Sequence, residues 1–556
     1  MTAILGLNAY HGDAAAALVV DGELVAAAEE ERFNRVKHCA GFPALAAAWC
    51  LAEGGIRPEE LDHLAVSRDP RANVGQKLLR TIRHGASARY LKARLLRAQV
   101  HNVEHHQAHV ASAFLVSPFD EAAILSVDGF GDFCSTMTAV GRGNHFDVLD
   151  RVLFPHSLGI YYAALTQWLG FPEYGDEGKV MGLAPYGDAS PHMKAMRDVL
   201  QTDGDLFVLG LDYFTHDKEG VDMTWDEGSP RIGRIYSDKL VETFGPARER
   251  GGEMTKHYQD VAAALQKRLE EVYLHVVDRL QARTGMTNLC LAGGVALNAV
   301  ANGRIRPETG FEGLYVQPAA GDSGTAVGAA YYVWNQELGR PRGFVMTHAY
   351  TGPQYSEDDY AAAVEAAGLE AERLEDDVLF RSVAERIAAG DVVGWFQGRM
   401  EFGPRALGHR SIVADPRRAD MKDVLNARIK HREPFRPFAP SILADATGAW
   451  FDQDYTSPFM VLVYKTKPDK REKIPAVNHI DDTGRVQTVE RSVDPRYYRL
   501  IEEFGGLTDV PVLLNTSFNE NEPIVMTPTE AVDTFLKTHM DVLVLGNYVV
   551  SRNGDA

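Results

Sequence analysis

Short apolar segments separated by polar turns fill the first thirty residues of the chain. Residues 4–8 and 14–20 are apolar, Asp21-Gly22 follows as a turn, and residues 24–28 are apolar again. Two apolar runs joined by an Asp-Gly turn are typical of a β-hairpin. The pattern therefore predicts β-strands here, with a polar loop after the first of them.

A second set of strands with the same spacing begins at residue 122. Residues 122–127 lead to Asp128, residues 135–140 follow after a polar loop, and a glycine turn at 141–144 precedes residues 146–152. The series of strand, polar loop, strand, turn and strand thus occurs twice. Such duplication indicates two related halves that face a cleft. Actin-like sugar kinases and heat-shock ATPases are built in this way.

Residues 42–53 are rich in alanine and leucine and predict a helix, and helical periodicity marks a long amphipathic stretch at 257–282. A buried strand at 288–292, a further strand at 314–317 and an apolar helix from Thr325 come next. Strands that alternate with helices predict an α/β fold.

A linker composition interrupts this pattern at Thr351-Gly352-Pro353. A chain of 556 residues is also too long for one ordinary core. Beyond the linker, the sequence predicts helices at 357–367 and 379–389 and a strand at 392–396. We therefore expect two domains, residues 1–350 and residues 356–556, the second of mixed α/β type.

The composition is that of a globular protein, with 45% hydrophobic residues, 24% charged residues and a net charge of −20. No stretch predicts a membrane span, and the first residues lack the pattern of a signal peptide. The negative charge argues against nucleic acid as a partner, because that binding needs clustered Lys and Arg. A cytoplasmic protein is expected, and a homodimer is left open. The scattered cysteines predict neither a disulfide framework nor a zinc site: Cys39, Cys50, Cys134 and Cys290.

Two histidines spaced four residues apart, His105 and His109, are the first candidates for chemistry. On a helix they face the same side and can hold one metal ion, and neutral imidazole suits iron, zinc or manganese. Paired histidines are also common on helix surfaces, so the pair alone is a weak signal. Asp128 at a strand end and Asp322 in a glycine-rich turn strengthen it, although both residues also suit turns and helix caps.

Three further segments offer groups for a substrate or a nucleotide. His11 lies in the polar loop after the first strand, where an ordinary loop histidine is the alternative. Gly293 and Gly294 follow a buried strand and lead to Asn298, so that backbone can approach a nucleotide at the start of a helix. Lys179 stands in another glycine-rich segment and can reach a phosphate, although a lone lysine is usually solvated.

Arginines are concentrated in the predicted second domain, between Arg399 and Arg436, in an otherwise acidic protein. Arginine forks and hydroxyl groups suit a phosphate, whereas a salt-bridged surface is the alternative. Aromatic and proline neighbours favour partial burial over a solvated run. The candidates are Arg405, Arg410, Lys430, Arg432, Arg436, Arg496, Thr516 and Ser517.

These segments together resemble the O-carbamoyltransferase family of antibiotic and nodulation-factor biosynthesis. The matching segments occur in the family's order along nearly the whole chain. Together they are specific, although each motif alone is a weak signal. The matching segments are His11, residues 29–33, the pair His105 and His109, and residues 127–129, 178–183, 293–298, 403–411, 436–441 and 515–519.

The resemblance implies an α/β fold with two parts. The N-terminal domain is expected to be a duplicated actin-like ATPase domain similar to the tRNA threonylcarbamoyl transferases. The C-terminal domain is expected to be similar to the bacterial threonylcarbamoyl-adenylate synthases (YrdC-like). In the family, the C-terminal domain makes carbamoyl-adenylate from carbamoyl phosphate and ATP, and the N-terminal domain transfers the carbamoyl group to an acceptor hydroxyl beside a bound iron.

The resemblance also implies cofactors, partners and residue roles. We expect Fe2+, with Mn2+ or Zn2+ as alternatives, Mg2+ with ATP, a small-molecule acceptor, and neither nucleic acid nor a membrane as partner. His409 receives no role. By motif, the metal ligands are expected to be His105, His109, Asp128 and Asp322, and the general base is expected to be His11. The residues expected to contact the adenylate are Lys179, Gly293, Gly294 and Asn298. The residues expected to handle carbamoyl phosphate and ATP are Arg405, Lys430, Arg436, Arg496, Thr516 and Ser517.

Other functions stay open at this point. An actin-like small-molecule kinase explains the duplicated strands but not the histidine pair or the arginine-rich second domain. A tRNA threonylcarbamoylation enzyme is disfavoured by the charge of −20. A non-catalytic ATP-binding regulator leaves the converging histidines and aspartates unexplained.

Overall fold

Two compact units make up the chain, residues 1–346 and residues 347–556. The computed structural model describes residues 1–71, 98–221, 223–225 and 228–552. Among these residues, no helix combines the length and apolar character that crossing a membrane requires.

The first unit begins with a five-stranded sheet whose strand order is β3-β2-β1-β4-β5. The first three strands pair antiparallel, whereas β1, β4 and β5 run parallel. The predicted hairpin is confirmed, with Asp21 and Gly22 both at positive φ in its turn. The strands are β1 (Ala3–Asn8), β2 (Ala15–Val20), β3 (Glu23–Glu29), β4 (His63–Val66) and β5 (Gln99–Asn102).

A second five-stranded sheet repeats this topology in the order β8-β7-β6-β13-β14. Again three strands form an antiparallel meander, the first of them, β6, pairs parallel with β13, and β13 pairs parallel with β14. The duplication predicted from the strand spacing is therefore present in the fold. The strands are β6 (Glu121–Gly131), β7 (Cys134–Arg142), β8 (His145–Leu153), β13 (Asn288–Ala292) and β14 (Gly313–Val316); two short ribbons lie between, β9 (Leu200–Asp203) with β10 (Leu206–Leu209) and β11 (Met223–Thr224) with β12 (Arg231–Ile232).

Small residues let two helices and a strand pack closely at the centre of this unit. A Cβ atom on Gly6 of β1 would lie 1.9 Å from the Ala326 carbonyl oxygen, and one on Gly328 would lie 1.8 Å from that of Ala108. Glycine is thus required where these backbones meet. The contact holds the start of helix Thr325–Tyr331 beside helix His105–Phe114.

The remaining helices of the first unit agree with the sequence pattern where it made a prediction. The stretches predicted at 42–53 and 257–282 form helices Ala44–Glu53 and Lys256–Thr284. The latter buries one apolar face along its length. The others are Glu31–Asn34, Leu158–Trp168, Glu177–Leu183, Met193–Val199, His216–Glu219, Asp238–Phe244 and Ala299–Glu308.

The second unit is built on a nine-stranded mixed sheet of order β15-β23-β22-β16-β17-β21-β18-β20-β19. Only β16 with β22 and β18 with β20 pair parallel. Its strands are β15 (Glu372–Arg373), β16 (Val393–Phe396), β17 (Arg410–Ala414), β18 (Ala439–Leu443), β19 (Leu462–Lys465), β20 (Thr483–Val489), β21 (Val512–Ser517), β22 (Val542–Leu545) and β23 (Tyr548–Ser551); its helices are Glu357–Ala366, Asp376–Ala389, Met421–Leu425, Thr447–Trp450, Pro495–Thr508 and Pro528–Lys537.

Candidate metal centre and arginine cluster

His105 and His109 lie one turn apart on helix His105–Phe114 with both side chains buried. Their Nε2 atoms are 3.1 Å apart. The Glu104 carboxylate caps the helix by accepting the Gln107 backbone N–H at 2.8 Å. The i, i+4 spacing therefore places two imidazoles on one side of a fixed helix, as predicted.

Two carboxylates from different parts of the fold converge on this pair. The His105 Nε2 atom lies 3.2 Å from Asp128 Oδ2 and 3.5 Å from Asp322 Oδ1. Asp128 stands near the end of β6, and Asp322 begins the turn that leads into helix Thr325–Tyr331. One ligand atom of each of the four residues lies within 4.8 Å of all the others.

The electrostatics of the four side chains fit a divalent cation. Burial raises the pKa of Asp128, but hydrogen bonds from His105 and His109 outweigh this and hold it well below its usual value. Burial lowers the pKa of His105, yet its bonds to Asp128 and Asp322 raise it well above the ordinary value. Two buried carboxylates need nearby positive charge. Two imidazole nitrogens and two carboxylate oxygens suit Fe2+, Mn2+ or Zn2+ and leave coordination positions for substrate.

His106, the histidine between the pair, serves the fold instead. Its Nε2–H donates to the Cys134 carbonyl oxygen at 3.0 Å, and its Nδ1 accepts from the Ser126 hydroxyl at 2.8 Å. Both ring nitrogens are therefore used within the protein core.

Gly131 of β6 leaves room for His105. A Cβ atom at residue 131 would lie 1.9 Å from Cδ2 and 2.6 Å from Cβ of His105. Because this imidazole is fully buried, the ring would have to leave its position. We expect Gly131→Ala to lower the affinity for Mn2+ at least about tenfold in a calorimetric titration. Gly129→Ala on the same strand, where a Cβ meets open space, is the matched control. Equal affinities in the two variants would contradict this geometry.

His11 lies against the metal-ligand cluster in the loop that follows β1. Its ring stacks on His105 with centroids 4.7 Å apart, and its Nδ1 lies 3.9 Å from Asp322 Oδ2. Its Nε2 has no hydrogen-bond partner among the residues that the structure describes. Burial, and then the positive charge of His105, lower the pKa of His11 to about 4. A neutral imidazole with a free nitrogen is thus available beside the cluster.

Sequence reasoning missed the residues on the other side of the His11 loop. Asp13 Oδ1 and His38 Nδ1 form an ion pair at 2.7 Å, and Tyr174 lies edge-on to His38. A Cβ atom on Gly12 would lie 2.8 Å from the Tyr174 hydroxyl. Tyr174 and His38 come from distant segments without a recognisable motif; only the position of Asp13, two residues after His11, offered a signal.

The glycine-rich loop after β13 touches the metal-ligand cluster through its backbone. The Gly294 N–H donates to Asp128 Oδ1 at 2.9 Å. Gly293 has φ +92, and a Cβ atom there would lie 2.1 Å from the Val127 carbonyl oxygen. Glycine is therefore required at residue 293.

The other two residues predicted to contact adenylate have partners inside the protein. Asn298 caps helix Ala299–Glu308 by accepting the Ala301 N–H at 3.1 Å, and its amide nitrogen donates to Gln266 Oε1 at 3.0 Å. Lys179 pairs with Asp176 at 2.8 Å and lies over the Phe171 ring. The structure thus brings Gly293 and Gly294 to the cluster and engages Asn298 and Lys179 elsewhere.

Four arginines of the second unit converge, and we call them the arginine cluster: Arg405, Arg432, Arg436 and Arg485. Burial and then Arg436 lower the pKa of Arg405 to about 10. Burial, then Arg405, Arg432 and Arg436, lower that of Arg485 well below its usual value. The Nε atoms of Arg405 and Arg485 are buried without a hydrogen-bond partner among the described residues. Partly buried arginines that repel one another are typical of an anion site.

Lys430 is held beside the end of β21. Its ammonium group donates to the carbonyl oxygens of Ser517 at 2.7 Å and Asn519 at 2.6 Å, and to Asn519 Oδ1 at 2.8 Å. Thr516 and Ser517 are the last two residues of that strand. Asn519, which sequence reasoning gave no role, therefore fixes the lysine.

Arg496 is engaged away from these groups. Its guanidinium donates to Gln397 Oε1 at 3.0 Å, to Asp376 Oδ1 at 2.8 Å and to Asn547 Oδ1 at 2.9 Å. Arg485, which no motif marked, contributes to the arginine cluster instead. Arg410 is fully buried and stacks on Phe396, with its guanidinium used by backbone carbonyls.

Comparisons with known proteins identify the family of this chain. The family model described as Carbamoyltransferase N-terminus matches residues 3–93 and 73–331, and the one described as Carbamoyltransferase C-terminus matches residues 384–552. Nodulation protein NolNO of Sinorhizobium fredii is 39% identical over 98% of this chain and 80% of its own length. Nodulation protein U of Rhizobium tropici is 30% identical over 93% of this chain and 90% of its own length.

Solved structures resemble the chain only distantly. HypF of T. kodakarensis shares 13% identity with a TM-score of 0.34 and covers 61% of this chain and 48% of its own. The ROK hexokinase of Thermus thermophilus shares 15% identity with a TM-score of 0.29 over 59% of this chain and 97% of its own.

The two family matches and the relatives along nearly the whole chain carry the assignment: the chain belongs to the carbamoyltransferase family and is an enzyme.

Proposed function

We propose that this carbamoyltransferase is an ATP-dependent O-carbamoyltransferase. It forms carbamoyl-adenylate from carbamoyl phosphate and ATP and transfers the carbamoyl group to a hydroxyl of a small molecule, in the biosynthesis of a natural product. The observation that carries the proposal is the pair of sites: a two-histidine, two-aspartate cluster with a free His11 nitrogen in one unit, and, in the other, an arginine cluster in which the buried Nε atoms of Arg405 and Arg485 lack a hydrogen-bond partner among the described residues.

Activation is assigned to the second unit, which would be YrdC-like. Carbamoyl phosphate and ATP are both anionic, and Arg405 and Arg485 each offer a buried guanidinium Nε that has no hydrogen-bond partner among the described residues, with Arg436 close to both. Lys430 adds a fixed positive charge. Hydrolysis of the carbamoyl–phosphate bond releases phosphate and leaves carbamate. A carbamate oxygen then attacks the α-phosphorus of ATP and pyrophosphate leaves, so each turnover yields one phosphate and one pyrophosphate.

Transfer is assigned to the first unit, which would be an actin-like carbamoyl transfer domain. A bound Fe2+, with Mn2+ or Zn2+ as alternatives, would be held by His105, His109, Asp128 and Asp322 and would polarise the carbamoyl carbonyl. The His11 Nε2 atom accepts the proton of the acceptor hydroxyl as that oxygen bonds to the carbamoyl carbon. The bond from this carbon to the AMP oxygen breaks, and AMP leaves.

The chemistry explains why an adenylate is useful. The nitrogen of a carbamate donates into its carbonyl, so the carbon is a poor electrophile. AMP is a better leaving group than free hydroxide. We assign the backbone of the Gly293–Gly294 loop to contact with the adenylate, since the Gly294 N–H already reaches Asp128 among the candidate metal ligands.

A product analysis tests the proposal. The protein is incubated with ATP, Mg2+, Fe2+, labelled carbamoyl phosphate and a panel of sugars, aminoglycosides, nucleosides and polyketides with free hydroxyls. We expect AMP and pyrophosphate only when carbamoyl phosphate is present, and label in one class of acceptor. ADP without consumption of carbamoyl phosphate would instead identify a kinase, and absence of turnover with any of the three metals would refute the proposal.

A further inference from the structure

The loop that carries Arg405 rests on a buried polar layer formed by three strands. Gln487 of β20 donates its amide N–H to the Leu407 carbonyl oxygen at 2.6 Å, and Asn515 of β21 donates to that of Ala406 at 3.3 Å. These two carbonyls directly follow Arg405 in the chain. The layer therefore holds the loop at the residues next to the arginine.

Hydrogen bonds within the layer fix the orientation of the Gln487 amide. Its Oε1 accepts from the Ser441 hydroxyl at 2.6 Å and from the Asn515 amide at 2.9 Å. Since both neighbours are donors there, the amide nitrogen must face the loop. The three side chains are at most 2% exposed: Ser441 0%, Gln487 2% and Asn515 1%. In such a place the loss of a hydrogen bond is costly, because water cannot replace it.

The layer lies directly beneath the arginine cluster. Arg485 stands two residues before Gln487 on β20, so the two side chains project from the same face of the strand. Arg405 has no described hydrogen-bond partner for its buried Nε, and the charges of Arg436 and Arg485 lie close to it. Like charges brought together in a partly buried site repel one another, and this repulsion acts to push the Arg405 loop away.

We propose that Gln487 is a positioning residue that holds the Arg405 loop against this repulsion, so that Arg405 and Arg485 can grip one phosphate together. The inference rests on the proposed handling of carbamoyl phosphate at the cluster. The far side of the loop is anchored separately, because Glu401 Oε1 accepts the N–H groups of Leu407 at 2.7 Å and His409 at 2.9 Å. Gln487 supplies the anchor on the side of the sheet.

Inorganic phosphate is the probe, because its binding can be measured without turnover. We expect Gln487→Met to weaken phosphate binding by about tenfold in a calorimetric titration, and to raise the KM for carbamoyl phosphate in pyrophosphate exchange by a similar factor while kcat changes less than about threefold. Thr488→Val is the matched control. Thr488 is equally buried on the same strand, and its hydroxyl accepts the Ser457 N–H on the other face. Both variants lower the Tm, but only the first alters phosphate affinity.

A double-mutant cycle separates positioning from general destabilisation. If Gln487 acts through Arg405, Gln487→Met changes phosphate affinity less than twofold in an Arg405→Met background. An additive tenfold loss in that background, or equal losses in Gln487→Met and Thr488→Val, would overturn the inference. If Gln487→Met does not fold, Ser441→Ala removes one donor to the same amide and is expected to weaken phosphate binding about threefold in the same cycle. Phosphate binding without any pyrophosphate exchange in the unaltered protein would count against the proposed function and not against this positioning.

Discussion

Replacement of His109 by alanine is expected to abolish carbamoyl transfer, by at least about 10³-fold, while the release of pyrophosphate from ATP and carbamoyl phosphate stays measurable. His109 Nε2 lies 3.6 Å from Asp128 Oδ2 and 3.7 Å from Asp322 Oδ1, so its loss removes one of four ligands from a buried site. Two carboxylates then face a single imidazole, and metal affinity falls. In our proposal, activation is carried out by the other unit and does not need this histidine.

His106→Gln is the matched control for that experiment. His106 lies on the same helix and is equally buried, but both of its ring nitrogens are bonded within the core. We expect a lower Tm with retained metal binding and retained transfer by the folded fraction. Metal content, product formation and pyrophosphate release are measured on both variants. Full transfer by the His109→Ala protein would remove the histidine pair from the mechanism.

Replacement of Arg436 by alanine is expected to block formation of the adenylate, which is the step that His109→Ala is expected to leave measurable. After burial, the charge of Arg436 is what most lowers the pKa of both Arg405 and Arg432, so Arg436 lies close to both of them. Its loss removes a guanidinium from two anionic substrates at once. A decrease in pyrophosphate release of about 10² to 10³-fold is expected, with unchanged metal affinity in the first unit.

Arg428→Ala serves as the control within the same basic stretch. Arg428 is exposed and pairs with Asp541 at 3.5 Å. A surface pair of this kind contributes little, so pyrophosphate release is expected to stay within twofold. Normal pyrophosphate release by Arg436→Ala, or equal losses in the two variants, would refute the assignment of the arginine cluster to activation.

The sequence predicted the parts of the candidate metal site that depend on local geometry. The spacing of His105 and His109 is enough to place both rings on one face of a helix, wherever that helix lies. Asp128 was recognisable because it stands at the end of a predicted strand, and Asp322 because it lies in a glycine-rich turn beside the start of a helix. Their convergence within 4.8 Å depends on the close helix packing at Gly6 and Gly328, which no local pattern reveals.

Residues whose interaction partners lie far away in the sequence were missed for the same reason. Arg485 stands alone in its segment, and its neighbourhood is set by the pairing of β20 with β18 in the nine-stranded sheet. Arg496 lies near motif residues in sequence, but Asp376 and Asn547 engage it. The order of the nine strands depends on pairings between distant segments, whereas the existence of a strand or a helix depends on the local pattern. For this reason the helices predicted at 357–367 and 379–389 agree with the structure to within three residues at each end.

Exchange of labelled pyrophosphate into ATP tests the central claim most directly. The unaltered protein is incubated with ATP, Mg2+ and radioactive pyrophosphate in the absence of any acceptor, with and without carbamoyl phosphate. Our account predicts that label enters ATP only when carbamoyl phosphate is present, because the adenylate forms reversibly from its carbamoyl unit. Turnover of ATP to ADP, with no label entering ATP under either condition, would contradict it.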